Sequence, residues 1–101
     1  MGSRLKLQTL LEDLLGSRNV YFQPPESVIL KYDAIVYALA DIDVLHADDA
    51  KYRMYKCYAV TYIHSDPDDP KTDEITALPM CSFDRRFISD NLYHDVYTLY
   101  Y

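Results

Sequence analysis

Tryptophan is absent from this chain of 101 residues, and glycine and cysteine occur only twice each. Two glycines cannot build a phosphate-cradling loop, which needs several backbone positions free of a Cβ. No apolar segment approaches the ~20 residues that span a bilayer, so no membrane helix is expected. Near the amino end Leu14-Leu15 follows Glu12-Asp13 rather than basic residues, so no signal peptide is expected and the protein should stay in the cytoplasm where it is made. Positive charge is also scarce, with 10 Lys and Arg against 16 Asp and Glu and a net charge of −6. Lys51, Arg53 and Lys56 form one loose group and Arg85 and Arg86 another, neither long enough to track a phosphate backbone. An acidic chain without a basic stripe is not expected to bind nucleic acid.

Cys57 and Cys81 belong to no Cys-x-x-Cys pair and sit in apolar, strand-like surroundings. That setting predicts buried, inert thiols, although the sequence leaves a disulfide between them open. Nothing marks either as a catalytic thiol, which needs an electropositive, partly exposed site.

What the chain has in abundance is tyrosine: eleven residues, within a composition that is 50% apolar and 26% charged. This is the balance of an ordered globular protein, and the length suits one domain spanning residues 1–101. Tyrosine joins an apolar ring to a polar tip, which suits both sheet surfaces and wet protein interfaces. The sequence finishes Tyr97-Thr98-Leu99-Tyr100-Tyr101. Those rings cannot stand in water, so the final strand is expected to dock on its own sheet or on a neighbouring subunit.

Leu7, Leu10, Leu11, Leu14 and Leu15 recur at helical spacing, with Ser3 as cap and Gly16 as terminator, predicting a helix over roughly Arg4–Leu15. Asn19 to Gln23 reads as a short extended piece closed by Pro24-Pro25, with Gln23 extended because it precedes proline. Val28 to Leu39 and Tyr52 to His64 read as strands. Met54, Tyr58, Val60 and Tyr62 share one face of the second, and Tyr55, Cys57, Ala59 and Ile63 the other. A strand apolar on both sides is expected to be central, covered by helices on one face and by something else on the other. Ala40 to Lys51 is expected to be a projecting hairpin arm or ordered loop. Asp69 caps a second helix with Pro70 at its first position, Ile75 and Leu78 inward and Pro79 ending it. A strand or strand pair follows from Cys81. The fold class is α+β: a mostly antiparallel sheet of four or five strands, flanked by an N-terminal and a short second helix.

Several groups could carry chemistry, and each has a plainer account. His46, Asp48 and Asp49 could ligate a metal, but no second cluster supports them and a solvated acidic loop accounts for them better. Asp66, Asp68, Asp69, Asp73 and Glu74 have the carboxylate density of a calcium loop, yet lack its turn glycine and are stiffened by two prolines. A turn followed by a helix cap is the simpler reading. His94 and Asp95 are neighbours on a strand, so they point to opposite faces and cannot pair as base and orienter. No nucleophile, base and oxyanion donor come from adjacent motifs. Neither catalytic residue, cofactor nor metal is expected; this reads as a part of an assembly and not as an enzyme.

An ordered set of residues supports that view. It comprises Asn19-Val20-Tyr21-Phe22-Gln23-Pro24-Pro25, Tyr32-x-Ala34-Ile35-Val36-Tyr37, and Tyr58-x-Val60-Thr61-x-Ile63 with Asp66-Pro67-Asp68. It closes with Cys81-Ser82-Phe83-Asp84-Arg85 and Ser89-Asp90-Asn91-Leu92-x-His94-Asp95-Val96-Tyr97-Thr98-Leu99-Tyr100. Together these resemble small tail-completion proteins of the neck of long-tailed bacteriophages and prophages, the tail terminators. The resemblance covers nearly the whole chain and is most specific in the carboxy-terminal block.

The resemblance implies a hexameric ring that caps the tail tube, stops its growth and joins the tail to the head. The implied partners are identical copies, the major tail tube protein and a head-side connector protein. The implied location is the virion neck, reached from the host cytoplasm during assembly. Six copies at −6 put about −36 formal charges around a channel, and negative walls keep passing DNA from sticking. Family members often project a β-hairpin, for which Ala40 to Lys51 is the candidate. Interface candidates are Asp41, Asp43, His46, Asp48 and Asp49 on that arm, Arg53, Arg85 and Arg86 as pairing cations, and Tyr100 and Tyr101 at the end. A head-completion protein of the same neck, or a host-encoded protein-binding module, are the other readings.

Overall fold

The computed structural model describes residues 4–25, 29–46 and 52–101, with 42–46 and 52–55 as backbone. It contains helix α1 (Arg4–Leu15), strands β1 (Val20–Phe22), β2 (Ala34–His46) and β3 (Tyr52–His64), helix α2 (Pro70–Thr76), and strands β4 (Cys81–Ser89) and β5 (Leu92–Tyr100). The five strands form one sheet in the order β1-β2-β3-β5-β4, antiparallel except for the β1–β2 pair. The expected α+β architecture with its two helices is present.

α1 buries Leu7, Leu11 and Leu15, the i, i+4, i+8 stripe, while Leu10 and Leu14 pack at its flanks. Gly16 ends it at φ 76°, its amide bonded back to the Glu12 carbonyl at 2.9 Å; this left-handed position suits a residue without a Cβ. β1 then runs parallel to β2, pairing Val20 with Ile35 and Phe22 with Tyr37. Gln23 corrects the expectation of extended backbone: it adopts φ 44°. There its amide donates to the Tyr37 carbonyl (2.9 Å) and its side-chain Oε1 accepts from the Leu39 amide (3.2 Å). β2 begins at Ala34 and not among residues 29–33, because a chain that pairs in parallel must travel back along β1 before it can run beside it; Val28, the expected start of the strand, lies outside the described residues.

β2 and β3 are thirteen residues each and pair from Ala34↔Ile63 out to His46↔Tyr52, with a bulge between Leu39 and Asp41. Among the described residues β1 reaches only Tyr37 and β5 only Cys57, so beyond those points the hairpin stands as a two-stranded arm. The expected arm is therefore mainly a continuation of two sheet strands, and Ala47 to Lys51 lie outside the described residues.

β5 settles where the terminal tyrosines dock. It lies inside the sheet, between β3 and β4. Tyr97 and Leu99 are buried and Tyr101 donates its amide to the Lys56 carbonyl at 3.0 Å. β4 and β5 join through Asp90-Asn91, with φ of 53° and 64°, the two left-handed positions of the turn that matches sheet twist.

Leu7, Leu11 and Leu15 of α1 and Ile75 of α2 pack with Ile35, Tyr37, Tyr58, Val60, Tyr62, Tyr97 and Leu99 into a single core. Both helices thus cover the same sheet face. The opposite face carries Val36, Ala38, Ala59, Thr61, Val96 and Thr98, all half-buried or exposed, and among the described residues no helix lies over it. The second covering layer expected for a two-sided β3 is thus absent among the described residues, although Ala34, Cys57 and Ile63 on that side are buried. Cys57 sits opposite Tyr100 and Cys81 opposite Leu99, on different faces, and both thiols are free.

Candidate functional site

Under α2 the sheet holds a cluster of charged and polar groups. Tyr62 of β3, Asp95 of β5 and Arg86 of β4 lie in one row across the sheet, and His64 follows Tyr62 on the same face. His64 and Asp95 are both 0% exposed, and His64 Nε2 lies 2.6 Å from Asp95 Oδ2. The Arg86 guanidinium grips both carboxylate oxygens, Nε on Oδ1 and Nη2 on Oδ2 at 3.0 Å. Its Nη1 donates to the Pro67 carbonyl at 3.0 Å. From α2, Thr72 Oγ1 donates to Asp95 Oδ2 at 2.8 Å, and the Thr72 carbonyl accepts from Tyr97 Oη at 3.2 Å. One carboxylate therefore ties β3, β4, β5 and α2 together.

The helix start is built from the same chemistry. Asp69 caps α2 by accepting from the Lys71 amide at 2.9 Å, and its other oxygen accepts from Tyr62 Oη at 2.7 Å. Tyr62 stacks on the His64 ring at 4.5 Å.

Burial pushes the Asp95 carboxyl up, but hydrogen bonds from Arg86, His64 and Thr72 outweigh it and hold the group below the usual carboxylate range. Arg86 is raised in turn, first by its bond to Asp95. Asp69 shows the same contest: burial raises it, and the Tyr62 hydroxyl and Lys71 amide bring it below its ordinary value. Burial drives Tyr62 upward, helped by the Asp69 hydrogen bond, and pushes Tyr97 to about 12.

Because Asp95 is a carboxylate, Nε2 of His64 carries the proton it shares, and Nδ1 finds no hydrogen-bond partner among the described residues. The pair has the composition of a base and its orienter. Neither side chain presents an atom to solvent, and the arrangement fixes the surrounding elements in place. Reading His94 beside Asp95 missed this pair. His94 indeed points to the other face, where it stacks on Phe87 at 4.7 Å. The true partner is 31 residues away.

The interface candidates fall into distinct places. Asp41 is exposed on the described part of the arm; Asp43, His46 and Arg53 are strand positions of the arm; Asp48 and Asp49 lie outside the described residues. Arg85 is exposed and pairs with adjacent Asp84 at 2.9 Å. Arg86 is committed inside its own subunit. Tyr100 and Tyr101 are half-buried at the end of β5. Sequence reasoning did not single out the surface that β4 offers. This strand is the sheet's outer member on one side, with Phe83, Phe87 and Ile88 exposed at 46%, 42% and 65%. No helix of the described residues is long and apolar enough to cross a membrane, and no group of His, Cys, Asp and Glu among them is placed to hold a metal.

Compared with known proteins, the chain matches no family model, no curated protein and no solved structure.

Proposed function

We propose that this protein is a structural component of a phage neck, a tail terminator whose copies close into a ring on the end of the tail tube and join it to the head. The observation that carries this reading is a sheet that, among the described residues, is left open on three sides. There its helices cover one face only, β4 has no strand on its outer side, and strands β2 and β3 run beyond the rest of the sheet. A self-contained domain of this size normally hides such surfaces, because bare strand margins and apolar patches invite association. A ring uses them: each copy meets the next through two different patches. The motif resemblance supplies the location in the neck.

The test is the mass of the purified protein in solution, alone and mixed with tail-tube subunits. Recruitment into a closed ring by the tube subunit supports the assignment. Binding to a portal-side connector instead of the tube moves the protein to the head-completion position. A chain that stays monomeric with both and joins no virion component overturns the proposal.

A further inference from the structure

The β2–β3 arm leaves the sheet at a point marked by two residues, one on each side. On the β1 side the parallel ladder runs from the Ile35 amide on the Asn19 carbonyl (2.9 Å) to the Gln23 amide on the Tyr37 carbonyl (2.9 Å). The next rung of an evenly spaced ladder takes the Leu39 amide to the Gln23 carbonyl. At φ 44° the backbone turns away toward Pro24-Pro25, and Gln23 Oε1 accepts from the Leu39 amide instead, at 3.2 Å. A side chain thus carries the ladder one rung further than the backbone of β1 does. On the β5 side the last strand pair is Cys57↔Tyr100, and the Tyr101 amide adds a rung on the Lys56 carbonyl at 3.0 Å. Leu39 faces Tyr58 and Lys56 faces Ile42, with the bulge between Leu39 and Asp41 in the interval. Both terminal rungs and the bulge therefore fall at one level of the hairpin. From Asp43↔Tyr55 to His46↔Tyr52 the hairpin has no further strand on either side among the described residues.

We propose that Gln23 and Tyr101 clamp the root of the arm, and that the outer hairpin, residues 43–46 with 52–55, pivots as one body at the bulge between them. This goes beyond the ring reading and does not rest on it. A bulge leaves one residue out of the ladder and bends its strand, so it is the softest place in a continuous hairpin. Inside the clamps β2 lies between β1 and β3, and β3 between β2 and β5, so bending there breaks rungs on both margins of a strand. Outside them only the rungs between β2 and β3 hold, and a hairpin with no third strand is marginal by itself. Bending is thus concentrated in the interval that holds the bulge. The identity of residue 23 is part of the device. Its side chain brings a neutral carbonyl to the next rung, while Pro24 has no amide with which to continue the ladder. An arm hinged at a fixed root adjusts its angle to a surface while the sheet behind it keeps its register.

Residual dipolar couplings and amide exchange, read residue by residue on the full chain, test the pivot and the clamps. Couplings of residues 43–46 and 52–55 are expected to share one alignment, smaller in magnitude than that of the sheet. One alignment of undiminished magnitude for arm and sheet overturns the pivot. Gln23→Met keeps the length of the side chain and loses the acceptor. In it the Leu39 amide is expected to exchange on the order of tenfold faster, the worth of one hydrogen bond, and the alignment of the arm to shrink further. Gln23→Glu retains an acceptor and should hold the Leu39 amide near its original rate. Unchanged exchange in Gln23→Met, or equal acceleration in both variants, overturns the Gln23 clamp. Deleting Tyr101 removes the opposite rung and should shrink the alignment of the arm in the same direction; an unchanged alignment overturns its part in the root. Circular dichroism checks each fold. Where Gln23→Met disturbs the sheet, Gln23→Asn, one methylene too short for the rung, takes its place with the same expected outcome. The mass measurement that tests the ring moves none of these readouts, so the two readings fail separately.

Discussion

Arg86 and Asp95 stand directly opposite one another on β4 and β5, and the guanidinium holds both carboxylate oxygens while its remaining nitrogen holds the Pro67 carbonyl. An outer strand with eight of its nine residues exposed is thus pinned at its centre to a fully buried anion. The bidentate, charge-assisted geometry is the strongest side-chain link available to such a strand.

Asp95→Asn should destabilise the fold by roughly 3–5 kcal/mol, since it leaves the Arg86 cation without its anion and upsets the His64 contact. Urea unfolding measures the loss. Deuterium exchange should show β4 and α2 opening before β2 and β3, because Asp95 binds groups on both.

Acid should unfold the protein by the same route. Asp95 and Asp69 are held below their ordinary values in the folded state. Their contribution is fully present above the unfolded carboxylate value of about 4 and is lost as pH falls through the lower folded values. Unfolding free energy measured against pH should decline below about pH 5, and in Asp95→Asn that decline should be shallower.

Alkali acts with the opposite sign. A buried tyrosine whose folded value is raised contributes stability that is fully present below its unfolded value of about 10 and is lost as pH rises from there through the folded value. Tyr97, at about 12, and Tyr62, higher still, should ionise late in an ultraviolet titration of the native protein. The last tyrosines should titrate together with loss of the fold. Gradual ionisation of all eleven near pH 10 with the sheet intact would contradict the buried positions.

Asp69→Ala removes both the cap of α2 and the acceptor of Tyr62 Oη. A loss of about 1–2 kcal/mol is expected for the cap alone, with more for the stranded hydroxyl. Tyr62→Phe with Asp69 intact should cost less, so the two variants and their combination form a cycle that isolates the hydrogen bond.

Leu11→Ala tests how α1 is held. Leu11 is 0% exposed at the centre of the stripe on the sheet, and truncation should cost roughly 2–5 kcal/mol in urea unfolding. The exposed Leu5, at 67%, should tolerate the same change with little effect.

Local chemistry makes much of this fold legible. The leucine spacing and Gly16 set α1, Asp69-Pro70 set the start of α2, and the alternation in Tyr52 to His64 sets which side of β3 faces the core. Each depends on residues within a turn or two of one another. The partnership of β1 with β2 is not legible, because three residues of strand carry no mark of direction. For the same reason the strand pattern starts β2 too early, whereas Gln23 departs from the extended backbone favoured before proline because its bonds to Tyr37 and Leu39 form at positive φ.

The buried cluster illustrates the remaining gap. The sequence itself determined that the chain is acidic, tyrosine-rich and α+β, and that His94 and Asp95 cannot meet on one strand. Only tertiary structure decided that Asp95 meets His64 and Arg86, that Arg86 turns inward while Arg85 stays outside, and that β5 lies inside the sheet. Periodicity is a local property of a chain. Strand order and register are fixed by the sum of many long-range contacts, and no single residue announces them.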